Sequence, residues 1–136
     1  MIGLIQVGAF LKRNLSHFKK WGTDRRSKRD FVMWLSWHLA KENVCVVADN
    51  GKIIATGIAR SLGELNQAKN SYLTVSGGKI LLVEHVVAKT NESFKDLLRF
   101  CKQRWPQCTH ISFRRNKGIK FMKTYDIESF YRKAGI

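Results

Sequence analysis

Residues 79–130 read KILLVEHVVAKTNESFKDLLRFCKQRWPQCTHISFRRNKGIKFMKTYDIESF, and the pattern in this stretch indicates alternating strands and helices. It opens with a nearly continuous apolar run, Ile80–Ala88, which only Glu84 and His85 interrupt. A run rich in β-branched residues is typical of a strand buried on both faces of a sheet. Because side chains alternate along a strand, we expect Glu84 and His85 to face opposite sides.

A helix is predicted directly after this strand, over residues 93–105. Apolar side chains recur there at helical spacing, at Phe94, Leu97, Leu98, Cys101 and Trp105. Asn91 or Ser93 is a candidate N-cap, because short polar side chains accept hydrogen bonds from the first turn. Pro106 ends the helix, since its ring disfavours a helical conformation at the preceding residue.

Further elements are predicted on both sides of this unit. Downstream, the pattern predicts a strand over His110–Phe113, a short basic helix over residues 117–125 and a last strand beginning near Ile127. Upstream, residues 44–60 read VCVVADNGKIIATGIAR, which is typical of a β-hairpin. Its central Asn-Gly pair supplies the positive φ angles of a type I′ turn.

Two helices are predicted before the hairpin. The first covers residues 4–20, where an apolar stripe has basic residues on its remaining sides, and the second has Phe31, Trp34 and Leu35 on its inner face. We therefore predict a single domain over residues 1–136 of the α/β (α+β) class. It has a mixed, mostly antiparallel sheet flanked by helices, with two helices at the N-terminus.

The order of these elements resembles the Gcn5-related N-acetyltransferase (GNAT) superfamily over residues 44–130. The phrase DNGKIIATGIAR is similar to the family's second and third strands, and NKGIKFMKTYDIESF is similar to the segment after its fifth strand. The resemblance implies a GNAT-like fold and an acyltransferase that moves an acyl group from acetyl-CoA, or another acyl thioester, to an amine. Short variants of this fold also occur in bacteriophages, so a phage-encoded protein is among the sources that the resemblance implies.

The resemblance also implies catalytic residues. Glu84 occupies the strand position of the family's base, and Tyr125 is the candidate acid, one turn from the Met122 that occupies the family's tyrosine position. Partial burial is expected to raise the pKa of Glu84 toward a useful range. The alternative interpretation is that Glu84 pairs with a nearby arginine and that His85 is a core residue.

The donor is expected where the strand Ile80–Ala88 separates from the strand His110–Phe113, with the next helix aiming its N-terminus at the phosphates. The residues implied to hold the donor are Val87, Ala88, Lys89, Thr90, Asn91 and Ser93. The family's phosphate loop is rich in glycine, whereas residues 88–93 contain none. Lys89 and the hydroxyls of Thr90 and Ser93 would replace some of the contacts that the glycine loop makes.

The layout has a fainter resemblance to the toxin-activating lysine acyltransferases, whose donor is an acyl carrier protein. The phrase SGGKILLVEHVVA is similar to their Ser-Gly-Asp…Asp-x-x-Ala strand, with Glu84 at the acidic position. His17 is the candidate for their N-terminal histidine. This resemblance implies a donor that needs no glycine loop, and an acidic protein as partner.

The chain is strongly basic, with 25 Lys and Arg against 10 Asp and Glu, which gives a net charge of +15. Such a balance predicts a polyanionic partner, either nucleic acid or an acidic protein. The alternative function is therefore a non-catalytic basic module. Its candidate contact residues form two clusters: Lys19, Lys20, Arg25, Arg26, Lys28 and Arg29, and Arg114, Arg115, Lys117, Lys120 and Lys123.

The three cysteines and four histidines show no paired or metal-binding spacing. We therefore expect reduced thiols and no bound metal. No apolar run reaches the roughly 18 residues of a membrane span. Together these features predict a soluble, cytoplasmic protein without a membrane partner.

Overall fold

The computed structural model describes residues 3–15, 25–115 and 118–136. These residues form the helices α1 (Leu4–Asn14), α2 (Arg25–Ala40), α3 (Asn91–Arg104) and α4 (Ile127–Lys133). They also form the strands β1 (Val44–Asp49), β2 (Lys52–Leu62), β3 (Ile80–Ala88), β4 (His110–Phe113) and β5 (Thr124–Asp126). Two short 3₁₀ helices are Leu65–Lys69 and Ile119–Phe121. Residues 16–20, which the sequence assigns to the first helix, lie outside the described residues.

The five strands form one sheet in the order β1-β2-β3-β4-β5. Strands β3 and β4 are parallel, and the other neighbouring pairs are antiparallel. The predicted α+β class, with a mostly antiparallel sheet and two helices at the N-terminus, is confirmed. The hairpin is confirmed as well, because Asn50 and Gly51 have φ angles of 51° and 77°, as a type I′ turn requires.

Helices cover both faces of the sheet. Consecutive residues of β3 belong to different clusters: Leu81 and Val83 pack with α3 and α4, whereas Leu82 packs with the first 3₁₀ helix. On β2, Ile58 packs against α1 and α2, and Leu62 packs with Leu82. We call the face that carries α1, α2 and the first 3₁₀ helix the front face, and the face that carries α3 and α4 the back face.

Helix α3 begins at a capping box. Thr90 Oγ1 accepts a hydrogen bond from the Ser93 N–H (3.0 Å), and Ser93 Oγ accepts one from the Thr90 N–H (3.1 Å). The apolar stripe predicted for this helix packs on the back face, and the helix ends two residues before Pro106. The helix is confirmed, but its N-cap is Thr90 rather than Asn91 or Ser93.

The C-terminal elements differ from the prediction. The described part of residues 117–125 contains the second 3₁₀ helix and the start of β5, and the strand predicted near Ile127 is the helix α4. The Asp126 carboxylate caps this helix by accepting a hydrogen bond from a first-turn N–H at 2.9 Å. Ile127 and Tyr131 are one turn apart, so both reach the core of the back face.

Gly78 packs directly against the backbone of Leu62. A Cβ atom at Gly78 would lie 2.6 Å from the Leu62 carbonyl oxygen, so one of the two backbone segments would have to move. We expect Gly78→Ala to lower the free energy of unfolding by about 1–3 kcal/mol in chemical denaturation. Gly63→Ala is the control, because its nearest neighbour is the flexible Gln67 side chain at 3.4 Å. Equal stability of the two variants would contradict this prediction.

Candidate active site

Strand β3 contains a β-bulge at Glu84. Ile58 of β2 lies opposite His85, and the next residue of β2 lies opposite Val83, so Glu84 has no partner residue on β2. Val83 and Val86 pack on the back face, whereas Glu84 contacts β2 on the front face and His85 contacts α2 there. The expectation that Glu84 and His85 face opposite sides is wrong, because the bulge shifts the alternation of side chains by one residue.

Strands β3 and β4 separate halfway along β3. Their parallel pairing ends with Val83 opposite Phe113, and the Arg114 N–H then donates to the Val83 carbonyl at 2.9 Å. Beyond that point, the only strand that pairs with residues 86–88 within the described part of the chain is β2. The predicted separation of these two strands is therefore present.

A cleft of about 230 Å³ opens where the strands separate. Its walls are formed by Val83, Glu84, His85, Val86, Phe113 and Arg114, with Leu15 just after α1. Val83, Val86 and Phe113 line it from the back face, whereas Leu15, the imidazole and the charged groups line it from the front face. A cleft with one apolar and one polar wall suits an extended ligand that carries a polar reacting group.

Glu84 lies between two arginines in this cleft wall. Arg60 Nε donates to Glu84 Oε1 at 2.8 Å, and Arg114 donates from Nη2 to Oε1 and from Nε to Oε2, both at 2.9 Å. The side chain of Arg60 is fully buried and that of Glu84 nearly so. These charge-assisted bonds join β2, β3 and the end of β4. The interpretation that Glu84 pairs with a nearby arginine is confirmed.

Arg60 also holds the segment that follows β2. Its Nη1 donates to the Asn70 and Leu73 carbonyls, both at 2.6 Å, and its Nη2 donates to the Ala68 carbonyl at 3.1 Å. Arg114 Nη2 donates to the same Ala68 carbonyl at 2.9 Å. Sequence reasoning missed Arg60. Its signal was an arginine within the mostly apolar β2, because a buried arginine requires partners for its donors.

The pKa of Glu84 shifts in the opposite direction to the one expected. Burial by itself would raise this pKa, but the hydrogen bonds and charges of Arg114 and Arg60 outweigh burial and hold it below its ordinary value. The expectation of a raised pKa is therefore wrong. A carboxylate with a lowered pKa accepts a proton weakly at neutral pH. The role of Glu84 as a base stays a prediction.

Neutralising Glu84 is expected to destabilise the fold. Glu84→Gln keeps the size of the side chain but leaves two arginines without their anion, so the free energy of unfolding should fall by about 3–5 kcal/mol. Chemical denaturation at neutral pH measures this loss. Glu92→Gln is the matched control, because the Glu92 side chain is 72% exposed and should contribute less than about 0.5 kcal/mol. A loss at Glu84 no larger than at Glu92 would show that the arginines do not need the carboxylate.

A second buried polar pair, His38 and Asn43, lies at the end of α2. Asn43 Nδ2 lies 3.1 Å from His38 Nδ1, which makes Nδ1 the acceptor, and the rings of Trp34 and Trp37 contact the imidazole edge to face. Burial lowers the pKa of His38 to about 4; the charge of Glu84 opposes this shift and that of Arg60 adds to it. His38 is therefore neutral in the folded protein at neutral pH.

His38 makes stability depend on pH. The unfolded chain protonates this imidazole below about pH 6.5, whereas the folded protein does so only near 4. The stabilisation of the folded state by neutral His38 is thus complete above pH 6.5, and it is lost as the pH falls toward 4. We expect the free energy of unfolding to drop by about 2 kcal/mol between pH 6.5 and pH 5 because of His38. His38→Gln, which keeps an acceptor for Asn43, should remove this part of the drop; an unchanged drop in the variant would refute the assignment.

The residues predicted to hold the donor lie together at the end of β3 and the start of α3. Val87 and Ala88 are half-buried, and Lys89 is exposed. Thr90 and Ser93 hydrogen bond to each other in the capping box, and Asn91 is the first residue of α3. Residues 87–93 therefore follow directly along the chain from residues 83–86, which line the cleft.

Tyr125 lies apart from these residues. It is on β5 opposite Ile111, is 41% exposed and does not line the cleft. Met122, which precedes it, is buried with Leu62, Ala68 and Leu82 under the first 3₁₀ helix. The structure thus does not bring Tyr125 together with Glu84, and its role as an acid stays a prediction.

The two predicted basic clusters differ in how much of them the structure describes. Lys19, Lys20 and Lys117, the side chains of Arg25 and Arg26, and His17 lie outside the described residues. The exposed members are Lys28, Arg29, Arg115, Lys120 and Lys123. Arg114 is only 25% exposed and binds Glu84, so its guanidinium serves the cleft wall rather than an open basic patch. Nucleic-acid binding stays a prediction.

The sequence matches no protein-family model and no curated protein. Within residues 3–15, 25–115 and 118–136, no group of three or more histidine, cysteine, aspartate or glutamate side chains is placed to hold a metal ion. None of the helices in this part of the chain has the length and apolar character needed to cross a membrane.

Proposed function

We propose that this protein is an acyltransferase that moves an acyl group from a thioester donor to an amine. The observation that carries the proposal is the cleft between β3 and β4. Past the end of β4, residues 86–88 have β2 along one edge and, among the residues that the structure describes, no strand along the other, so an extended ligand can pair with that edge as a strand would. The acyl-pantetheine arm of a thioester is such a ligand, because it is a thin chain with two amide groups.

The reaction needs the amine, the thioester carbonyl and a proton acceptor in one place. The amine nitrogen attacks the carbonyl carbon, a C–N bond forms and the C–S bond breaks, and its electron pair leaves on the thiolate. The proton of the amine passes to a base. We assign this base to His85, because the bulge turns it toward the cleft and an imidazole can accept a proton on a ring nitrogen. Glu84 then acts with its two arginines to fix the wall.

The phosphates of coenzyme A would add little to donor binding. The Ser93 and Thr90 N–H groups are already bonded to each other's hydroxyls, so two donors near the start of α3 are engaged. The exposed Glu92 carboxylate repels a pyrophosphate, although Lys89 attracts one. Recognition would therefore rest on the acyl-pantetheine arm. Acetyl-CoA is one donor of this class, and other acyl thioesters fit the same argument.

Comparing coenzyme A with pantetheine, which has no phosphates, tests this proposal. We expect both to bind in calorimetry with dissociation constants within about tenfold of each other, a difference below about 1.4 kcal/mol. Leu15→Trp obstructs the cleft and should abolish binding of both ligands. Asn14→Trp is the control, since Asn14 is exposed and does not line the cleft. The proposal is wrong if neither ligand binds, or if Leu15→Trp binds both as the unaltered protein does.

Turnover then separates the two candidate bases. With an amine acceptor that supports acyl transfer, His85→Gln should lower the rate by about 10²–10⁴-fold while donor affinity and unfolding temperature stay unchanged. A variant that turns over at the original rate would exclude His85 as the base and leave the binding argument intact. Glu84→Gln is unsuitable as the first test, because it also breaks the contacts with Arg60 and Arg114.

A further inference from the structure

Helix α1 and helix α2 enclose an apolar groove. Ile5 on α1 is 83% exposed and Val32 on α2 is 43% exposed, and both belong to the lining of this one groove. The groove between them has a volume of about 360 Å³. Its apolar lining consists of Leu4, Ile5, Gly8, Ala9, Phe31, Val32 and Leu35.

A second groove, of about 580 Å³, lies on the other side of α1 against the β1–β2 hairpin. Its apolar lining includes Ile53 and Ile54 of the hairpin. Ile5 and Ala9 line both grooves, so the two form one continuous surface with Ile5 as a ridge. We call this surface, formed by the linings of the two grooves, the α1 surface.

Cations surround the α1 surface, and none of the described residues that line either groove is acidic. The cations are Lys12 and Lys28 in the first groove, and Arg13, Lys52 and Lys89 in the second. Two of them lie over aromatic rings, because Lys12 Nζ is 4.9 Å from the Phe31 centroid and Lys89 Nζ is 5.7 Å from the Phe10 centroid. The surface therefore combines an apolar floor with a positively charged rim.

We propose that the α1 surface binds an acidic amphipathic helix of a partner protein. The apolar stripe of that helix lies in the groove between α1 and α2, and its acidic flanks face the cations on either side. Gly8 has no side-chain carbon and Ala9 has only a methyl group, so a partner helix can approach the backbone of α1 closely at these positions. The eleven residues of α1 offer about 16 Å of length, or about three helical turns.

The shape and chemistry of the surface favour a helix over other anionic partners. A flat lipid surface would contact the Ile5 ridge and leave the grooves empty. Stacking of nucleic-acid bases needs an open aromatic face, but Phe31, the aromatic side chain among the described residues of the linings, is 2% exposed. Apart from Lys89, which also lies in the segment predicted to hold the donor, the α1 surface shares no residue with the cleft, so the inference does not depend on the proposed function.

A peptide titration tests this inference. The probe is a labelled peptide of about 18 residues, long enough to be helical, with leucines at i, i+3, i+4 and i+7 and glutamates on the remaining face. Fluorescence anisotropy compares it with a scrambled peptide of the same composition, a single-stranded oligonucleotide and anionic phospholipid vesicles. We expect the amphipathic peptide to bind most tightly, with an affinity that falls as salt is added.

Two pairs of variants locate the binding site. Ile5→Glu should weaken peptide binding at least about tenfold, whereas Met33→Glu, which replaces an exposed apolar residue outside both grooves, should not. Arg13→Glu should weaken binding several-fold, whereas Lys133→Glu on α4 should have a smaller effect. The inference is overturned if the peptide does not bind, if the scrambled peptide, oligonucleotide or vesicles bind as tightly, or if Ile5→Glu binds like Met33→Glu.

Discussion

The hydrogen-bonded group of Arg60, Glu84 and Arg114 is the constraint on which the arrangement of the front face depends. Moving three charges out of water costs several kcal/mol per ion, so the group is tolerated only where each charge has close partners. The Glu84 carboxylate receives three hydrogen bonds, and the remaining guanidinium donors reach carbonyls of the segment after β2. One network therefore fixes three strands and the chain that covers them.

The same network gives the residues of the cleft different roles. Glu84 is held by two cations, which lowers its pKa and makes it a fixed wall. His85 follows it on the same face because the bulge adds one residue to β3, and the division of β3 from β4 begins beside it. The fixed charged wall lies next to the edge of β3 that continues past β4, so the cleft can position a ligand before it reacts.

Helix α1 connects the two candidate sites. Leu15, just after its C-terminal end, lines the cleft, and Ile5, in its first turn, forms the ridge of the α1 surface.

The positively charged side chains of the protein have two kinds of role. Arg60 and Arg114 are structural, and Arg104 donates to two backbone carbonyls in the turn just after α2, whereas the lysines around α1 are placed where a partner can reach them. Net charge alone overstates how many cations are available to a polyanion.

The sequence by itself determined the element types wherever one period was unambiguous: the strand Ile80–Ala88, the helix before Pro106 and the hairpin around Asn50-Gly51. It did not predict the C-terminal helix α4, because the apolar pattern there is short and fits a strand as well. The Asp126 carboxylate, which caps the first turn, favours the helix. Tertiary structure alone decided the site. A bulge is set by strand pairing, and a buried arginine's partners come from distant segments, so neither the shared face of Glu84 and His85 nor the lowered pKa of Glu84 followed from local pattern.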